Sequence, residues 1–111
     1  MNDALLGILD KKGGSRFMTH GFLIHFQPDD VGVAVRDLSQ GEQVEGVYMD
    51  DDSRMTVTMV TDVPLGHKVA LRDLPEGHMC VEYSEIIGRI TQPVRQGEHV
   101  HTHNIKSARW A

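Results

Sequence analysis

The sequence has 111 residues, 40% of them hydrophobic and 24% charged, which is typical of one soluble globular domain with a short tail. A net charge of −5 without a basic stripe argues against nucleic-acid binding, and no apolar run approaches the roughly 20 residues that cross a bilayer. A single cysteine, Cys80, excludes an internal disulfide and, with no signal-peptide pattern at the start, predicts a cytoplasmic protein.

The first part of the chain differs in character from the rest. Its leucines and isoleucine could cover one short helical face, but the stretch KKGGSR (11–16) ends that face with flexible polar residues. We therefore expect residues 1–17 to form a flexible N-terminal extension and residues 18–111 to form the folded domain. An amphipathic arm that packs on a partner is the alternative for the extension.

From Phe22 onward, apolar and polar residues alternate with period two between turn sequences. The clearest case is RMTVTMV (54–60), in which methionine and valine share one face and threonine the other. Runs of this kind at spacings of roughly 8–12 residues predict a compact all-β domain. The predicted strands are FLIHF (22–26), VGVAV (31–35), VEGVYM (44–49), RMTVTMV (54–60), KVALRDL (68–74), MCVEY (79–83), IIGRI (86–90) and EHVHTHNI (98–105).

One turn sequence recurs along the chain. In RDLSQGE (36–42) and RDLPEGH (72–78), a strand ends in Arg-Asp-Leu and a glycine turn precedes the next strand. PVRQGEH (93–99) shares the glycine and the polar residue after it. Internal pseudo-symmetry and a single turn chemistry used three times both fit this pattern, and we favour the second.

The stretch GEHVHTHN (97–104) places histidine at every second position. On an extended strand, His99, His101 and His103 would share one face. Neighbours in that set would lie about 6.5–7 Å apart, close enough to bind one metal ion, whereas the outer two would be roughly 13 Å apart. We therefore expect at most two of them to bind the same ion. A solvated surface strand also fits the motif, but the metal affinity of histidine favours a functional one.

Two further stretches hold candidate residues. In PLGHKVAL (64–71), a tight turn delivers His67 and Lys68 to the start of a strand, where they could bind an anion or act as a base. A turn with two exposed polar residues is the simpler interpretation. Glu85, in VEYSEIIGRI (81–90), would be a solvated surface residue if it were judged alone.

Three motifs together resemble the SAF domain of the altronate and galactarate dehydratase family. They are FLIHFQPDDVGVAV (22–35), PLGHKVALRDLPEG (64–77) and EYSEIIGRITQPVRQGEHVHTHNIK (82–106), and the resemblance covers about residues 20–105. The family pattern reads Gly-His-Lys-Val-Ala-Leu, then Tyr-Gly-Glu-x-Ile-Gly, then Gly-Glu-His-Val-His-x-His-Asn. One departure is Ser84, which stands where the family usually has glycine before the glutamate.

The resemblance implies a β-clip fold, a small all-β domain of short twisted hairpins. It also implies an elimination that begins with removal of the proton next to a carboxylate, assisted by iron(II) or another divalent metal. Carried onto this sequence, the resemblance makes His67, Lys68, Glu85 and His101 catalytic, His67, Lys68 and Asn104 substrate-binding, and His99, His101 and His103 metal ligands.

A free-standing copy of this domain resembles the small subunit of a two-subunit lyase. The hairpin region GVYMDDDSRMTVTMVTDVPLGHK (46–68) and the ending HNIKSARW (103–110) are most similar to carbon–sulfur lyases that convert (2R)-3-sulfolactate to pyruvate and sulfite by β-elimination. We therefore expect a large catalytic subunit as partner, little activity without it, and a small anionic hydroxy acid as substrate. The metal could be held mainly by the large subunit, and the isolated chain could form a homo-oligomer.

Two other functions fit the same resemblance. The chain could be the small subunit of a hydro-lyase of the altronate or galactarate type. It could also be a non-catalytic SAF module for ligand binding or assembly.

Overall fold

The computed structural model describes residues 20–107, so the predicted extension at 1–17 lies outside the described residues. Every regular element within 20–107 is a β-strand, which confirms the all-β class, and no helix in that range could span a membrane. The strands are β1 (His20–Ile24), β2 (Val31–Ala34), β3 (Gln43–Tyr48), β4 (Arg54–Thr58), β5 (Lys68–Ala70), β6 (Met79–Glu82), β7 (Glu85–Ile90), β8 (His99–Val100) and β9 (Ile105–Ser107).

The strands form two sheets. One has six strands in the order β4-β3-β1-β2-β5-β8, and the other has three in the order β6-β7-β9. Neighbouring strands are antiparallel except β1 and β3, which are parallel. This order puts β8, with its histidine, directly beside β5, the strand that follows His67.

Two hydrophobic cores lie on opposite faces of the neighbouring strands β2 and β5. Because successive strand residues point to opposite faces, Ala34 and Val69 enter one core while Val31 and Ala70 enter the other. The alternation predicted for β4 is also present, since Val57 is buried between exposed threonines. Full burial of a valine contributes about 1.5–3 kcal/mol to the free energy of folding.

Within residues 20–107, the recurrent turn is present four times and organises the connections between strands. Each copy has an apolar residue in a single β-bridge, followed three positions later by a glycine with φ between 85° and 90°. Such positive φ angles are strained for residues that carry a Cβ, which explains the glycines. The bridges join the copies in pairs, Leu38 with Val63 and Leu74 with Val94. The copies span residues 36–42, 61–67, 72–78 and 92–98.

Side chains strengthen this pairing. Asp37 and Asp62 each accept a hydrogen bond of 2.8 Å from a backbone N–H in the other's turn. In the second pair, Asp73 accepts one of 2.9 Å from the turn at 92–98, and Pro93 stands where a fourth aspartate would be. The relation goes beyond the shared turn chemistry that we favoured from the sequence, because the turns are related in pairs by internal pseudo-symmetry.

The histidine stretch is not one extended strand, contrary to the sequence-based expectation. β8 ends after two residues, and residues 101–104 form a turn. The Asn104 side chain causes it, because its Oδ1 accepts a bond from the His101 N–H and its Nδ2 donates to the His99 carbonyl, both at 2.9 Å. Such side-chain bonds compete with a strand ladder. As a result, the ring centroids of His99 and His103 lie only 5.6 Å apart.

The turn Pro28-Asp29-Asp30 anchors the second sheet. The buried Asp29 carboxylate accepts hydrogen bonds from the backbone N–H groups of Tyr83 and Ser84, at 3.0 and 3.2 Å, at the tip of the β6–β7 hairpin. Both tip residues have positive φ, 58° and 62°, a geometry that favours glycine. The positive φ explains why the family pattern has glycine at position 84. In this chain the residue is Ser84, and the hydrogen bonds to Asp29 hold the turn in place.

Candidate functional site

The residue after the glycine of each repeated turn takes one of two roles. Glu42 and Glu98 accept a hydrogen bond from the backbone of their own turns, at 3.0 and 2.9 Å. His67 and His78 occupy the same position in the other two turns. His78 Nε2 lies 2.8 Å from the buried carboxylate of Asp30, whereas His67 contacts the edge strand β8. The two histidines at this position therefore contact residues outside their own turns, whereas the two glutamates cap theirs.

The register of β5 and β8 brings His67 to the C-terminal histidines. In this antiparallel pair Lys68 lies opposite Val100, so the next position in the same register sets His67 opposite His101. Opposite residues of an antiparallel pair point to the same face, and His99, two positions before His101, shares it. The imidazoles therefore gather on one face, and Lys68 points to the other.

The three rings lie within contact distance of one another. Nδ1 of His67 is 2.9 Å from Nε2 of His99, and the ring centroid of His101 is 4.7 Å from that of His67 and 5.2 Å from that of His99. One nitrogen from each ring lies within 4.8 Å of the other two. We call these three residues the histidine cluster. His103, predicted as a ligand, lies beside the cluster but outside this group.

The surroundings keep the centre of the cluster uncharged. Burial lowers the pKa of His99, and the positive charges that His67, His101 and His103 can carry lower it further. His99 therefore stays neutral at a pH that protonates an ordinary histidine. Its short contact with His67 requires one of the two nitrogens to carry a hydrogen and the other to accept it. A neutral imidazole has the lone pair that a metal ligand needs.

The chemistry of the cluster fits a divalent transition metal. Imidazole nitrogens suit iron, zinc, copper and nickel, and a site with three protein ligands leaves positions open for substrate. Within residues 20–107 the group contains no carboxylate, because Glu98 caps its own turn and Glu85 is exposed on β7. The thiol of Cys80, whose pKa is raised to about 12 by burial, is also not a member of the group.

A cavity of about 240 Å³ opens between the two sheets, next to the histidine cluster. His101 lines it, so this imidazole borders both the cluster and the cavity. The ammonium of Lys68 also lines the cavity, 3.6 Å from the carboxylate of the buried Glu82. The other lining residues are Ile87, Val100, Thr102, Ile105 and Ser107. The cavity thus combines a cation and an anion with an apolar wall.

Two polar side chains fix the backbone of the cluster. Asn104 is buried, and both ends of its amide are bonded to the backbone of His99 and His101. Thr61 Oγ1 accepts a 3.0 Å hydrogen bond from the His99 N–H. These contacts give Asn104 a positioning role. The amide keeps a second hydrogen and a second acceptor site beyond these bonds, and its predicted contact with substrate stays a prediction.

Glu85 is separate from both the cluster and the cavity. It begins β7, is exposed, and pairs in register with Glu82 across the Tyr83-Ser84 turn. Its predicted catalytic role therefore has no support from its position among the described residues.

Sequence reasoning missed Glu82, although a signal was present. In MCVEY (79–83), alternation puts Glu82 on the same face as Cys80, and both are buried. It also missed the buried Asp30, whose carboxylate binds Arg72 and His78. No local pattern reveals these contacts, because Arg72 and His78 follow Asp30 by 42 and 48 positions in the chain.

A sequence profile of the altronate/galactarate dehydratase SAF domain matches residues 20–108, which is most of the chain. The chain belongs to this family. The profile covers all nine strands that the structure describes, including both segments that form the histidine cluster. The resemblance inferred from the three sequence motifs is therefore confirmed.

Individual relatives of this SAF domain fall into two groups. The alpha subunit of (2R)-sulfolactate sulfo-lyase from Chromohalobacter salexigens is 43% identical over 94 residues, which is 84% of this chain and 100% of that protein. The subunit of the same name from Paracoccus pantotrophus is 44% identical over 64 residues, 58% of this chain and 96% of that protein. Altronate dehydratase from Bacillus subtilis is 34% identical over 84 residues, 76% of this chain but 16% of that protein.

Proposed function

We propose that this SAF domain is the alpha subunit of a (2R)-sulfolactate sulfo-lyase. The observation that carries the proposal is its match to two proteins of that name across 100% and 96% of their lengths. The matches to altronate dehydratases cover only 16% and 15% of those proteins. A chain that corresponds to a whole alpha subunit is expected to act with a large subunit and to have little activity alone. A cytoplasmic location and self-association of the isolated chain remain predictions.

The proposed reaction is a β-elimination. A base removes the proton on C2 of 3-sulfolactate, next to the carboxylate, and the freed electron pair forms the C2–C3 double bond. The C3–S bond breaks, and sulfite leaves with its electrons. The resulting enol loses its hydroxyl proton, gains a proton at C3 and becomes pyruvate. The step needs no oxidant or reductant.

We infer that the histidine cluster holds a divalent metal, which we propose is iron(II). When bound, such an ion acts as a Lewis acid that stabilises the negative charge developing on the substrate. The three imidazoles would fix it at the edge of the cavity, where His101 borders both. Lys68, on the cavity wall, would bind an anionic group of the substrate. A role for Glu85 in proton transfer would require the large subunit to extend the cleft to the β6–β7 hairpin.

A hydro-lyase subunit is the second candidate, supported by identities of 34% and 38% to two altronate dehydratases. The histidine cluster would suit that reaction as well, since it also begins with loss of a proton next to a carboxylate. The two candidate functions therefore differ in their substrates and not in their use of the histidine cluster.

The test is to co-express this chain with a dehydratase-like large chain encoded by a neighbouring gene. Sulfite release from racemic 3-sulfolactate would be measured with added iron(II), with altronate and galactarate as comparison substrates. We expect sulfite only when both chains are present. Dehydration of a sugar acid without sulfite release would favour the hydro-lyase. Turnover that survives His101→Ala would favour a non-catalytic module.

A further inference from the structure

Glu82 is a buried carboxylate without a hydrogen-bond donor among residues 20–107. Its side chain is 7% exposed and lines the cavity beside the histidine cluster. Its polar partner in that range is the Lys68 ammonium, and their 3.6 Å separation is longer than a hydrogen bond. Buried polar groups in proteins are nearly always hydrogen-bonded. The carboxylate therefore has accepting capacity left for a donor that enters the cavity.

The neighbouring charges define which donor fits. The Lys68 ammonium has three hydrogens and, within the described residues, the single charged partner Glu82, so it can also bind an anionic group. Glu82 repels a second anion at this end of the cavity but accepts a bond from a neutral hydroxyl. Ile87, Val100 and Ile105 offer apolar contact to a short carbon chain. A compound with an acid group near a hydroxyl satisfies both charged residues.

We propose that Glu82 is a specificity-determining residue, which binds the hydroxyl of a small hydroxy acid whose anionic group lies on Lys68. The inference rests on the proposed function, which makes such an acid the substrate, and adds that selection for the hydroxyl resides in this chain. A site built to bind a hydroxyl discriminates strongly against the analogue without it, because the buried acceptor is then left unpaired.

The test compares two ligands that differ in that hydroxyl. The full-length chain, labelled with ¹⁵N, is titrated with racemic 3-sulfolactate and with 3-sulfopropionate, and affinities come from amide shifts at Lys68 and Thr102. We expect about tenfold tighter binding of the hydroxy acid. Glu82→Gln should reduce that preference, and Glu82→Leu should remove it. Glu45→Gln is the matched control, since Glu45 forms its ion pair with Arg54 on the β3–β4 hairpin and does not line the cavity.

Each possible outcome bears on the proposal. Equal affinity of the unchanged chain for the two acids would overturn it without any variant, and would mean that only water solvates Glu82. A preference that survives Glu82→Leu in a folded variant, or no shifts at the cavity amides, would overturn it too. The titration needs neither a partner nor turnover. If the two-chain protein is an active lyase but this chain does not select for the hydroxyl, the proposed function stands and this inference is wrong. If this chain binds the hydroxy acid selectively but the two-chain protein is inactive, the inference stands and the proposed function is wrong.

Discussion

Nδ1 of His67 lies 2.9 Å from Nε2 of His99, although the two residues are 32 positions apart in the chain. The contact follows from the register of β5 and β8, which sets the turn before one strand against the end of the other. His101, on the same face, completes the cluster and also borders the cavity. This contact joins two motifs that the sequence presents as separate.

The first prediction concerns metal binding. His67→Ala, His99→Ala and His101→Ala should each weaken iron(II) binding by at least about tenfold, because each removes one of three ligand nitrogens. Anaerobic calorimetric titration of the full chain should give one ion per chain before substitution. His103→Ala is the matched control and should change the affinity by less than about threefold. A loss with His103→Ala as large as the others would instead support the ligand set predicted from sequence.

Asn104 provides a test of positioning. Asn104→Ala removes the two side-chain bonds to the backbone of the turn, leaves its backbone bonds to the His101 carbonyl, and should lower the free energy of unfolding by about 2 kcal/mol, as measured in urea. It should also weaken metal binding, because the imidazoles of His99 and His101 lose their fixed backbone. Asn104→Asp keeps the acceptor for the His101 N–H but loses the donor to the His99 carbonyl. Its free energy of unfolding should therefore lie between those of Asn104→Ala and the unchanged chain. An unfolding curve for Asn104→Ala that matches the unchanged chain would contradict this role.

The hairpin tip predicts a stabilising change. Ser84 has φ 62°, a conformation that costs a residue with a Cβ about 1 kcal/mol and costs glycine little. Ser84→Gly should therefore raise the melting temperature, measured by circular dichroism. Ser53→Gly is the control, because Ser53 lacks a positive φ and its hydroxyl accepts a bond from Gln27. Ser53→Gly should lower the melting temperature. If Ser84→Gly lowered it by as much, the backbone at Ser84 would not be strained.

Asp30 predicts how stability depends on pH. Burial raises its pKa, but bonds from His78, the Val81 N–H and Arg72 outweigh burial and hold the pKa below its ordinary value of 3.8. The unfolded chain then binds the proton more readily, so the carboxylate stabilises the fold above pH 3.8 and loses that effect as pH falls through the folded-state pKa. Asp30→Asn should cost about 1.5–3 kcal/mol at neutral pH.

The Asp30→Asn experiment has an internal check. The stability difference between variant and unchanged chain should shrink in acid, because both then carry an uncharged group at this position. Asp52→Asn, at an exposed position, should change stability little at any pH. A stability gap for Asp30→Asn that stays constant down to acid pH would argue against an ionised, stabilised carboxylate.

Much of the fold could be predicted because its strands follow local alternation. Val57 illustrates this, since the residues on either side of it already indicate which face is buried. The turn at 61–67 was not recognised as a copy of the others, although TDVPLGH has the aspartate, proline, glycine and histidine of RDLPEGH (72–78) at the same positions. The strand expected through His103 fails because the Asn104 side chain bonds to the local backbone and reverses the chain.

The site was predicted in its residue types but not in its grouping. His67 and Lys68 are adjacent in sequence and were expected to act together, yet they point to opposite faces, one into the histidine cluster and the other into the cavity. Alternation along the chain puts their side chains on opposite faces, but only the register between β5 and β8 brings His67 to His99 and His101, and strand pairing between distant segments leaves no local trace. Glu82 is the opposite case, because a local pattern, its alternation with Cys80, could have predicted its burial but was overlooked.

The most direct test of the account is the rate of sulfite release by the co-expressed two-chain protein with and without His67→Ala. We predict that kcat for 3-sulfolactate falls by at least about 100-fold, while the two chains still elute as one complex. Sulfite release at the unchanged rate by the His67→Ala complex would contradict the account, because the histidine cluster would then have no part in the reaction.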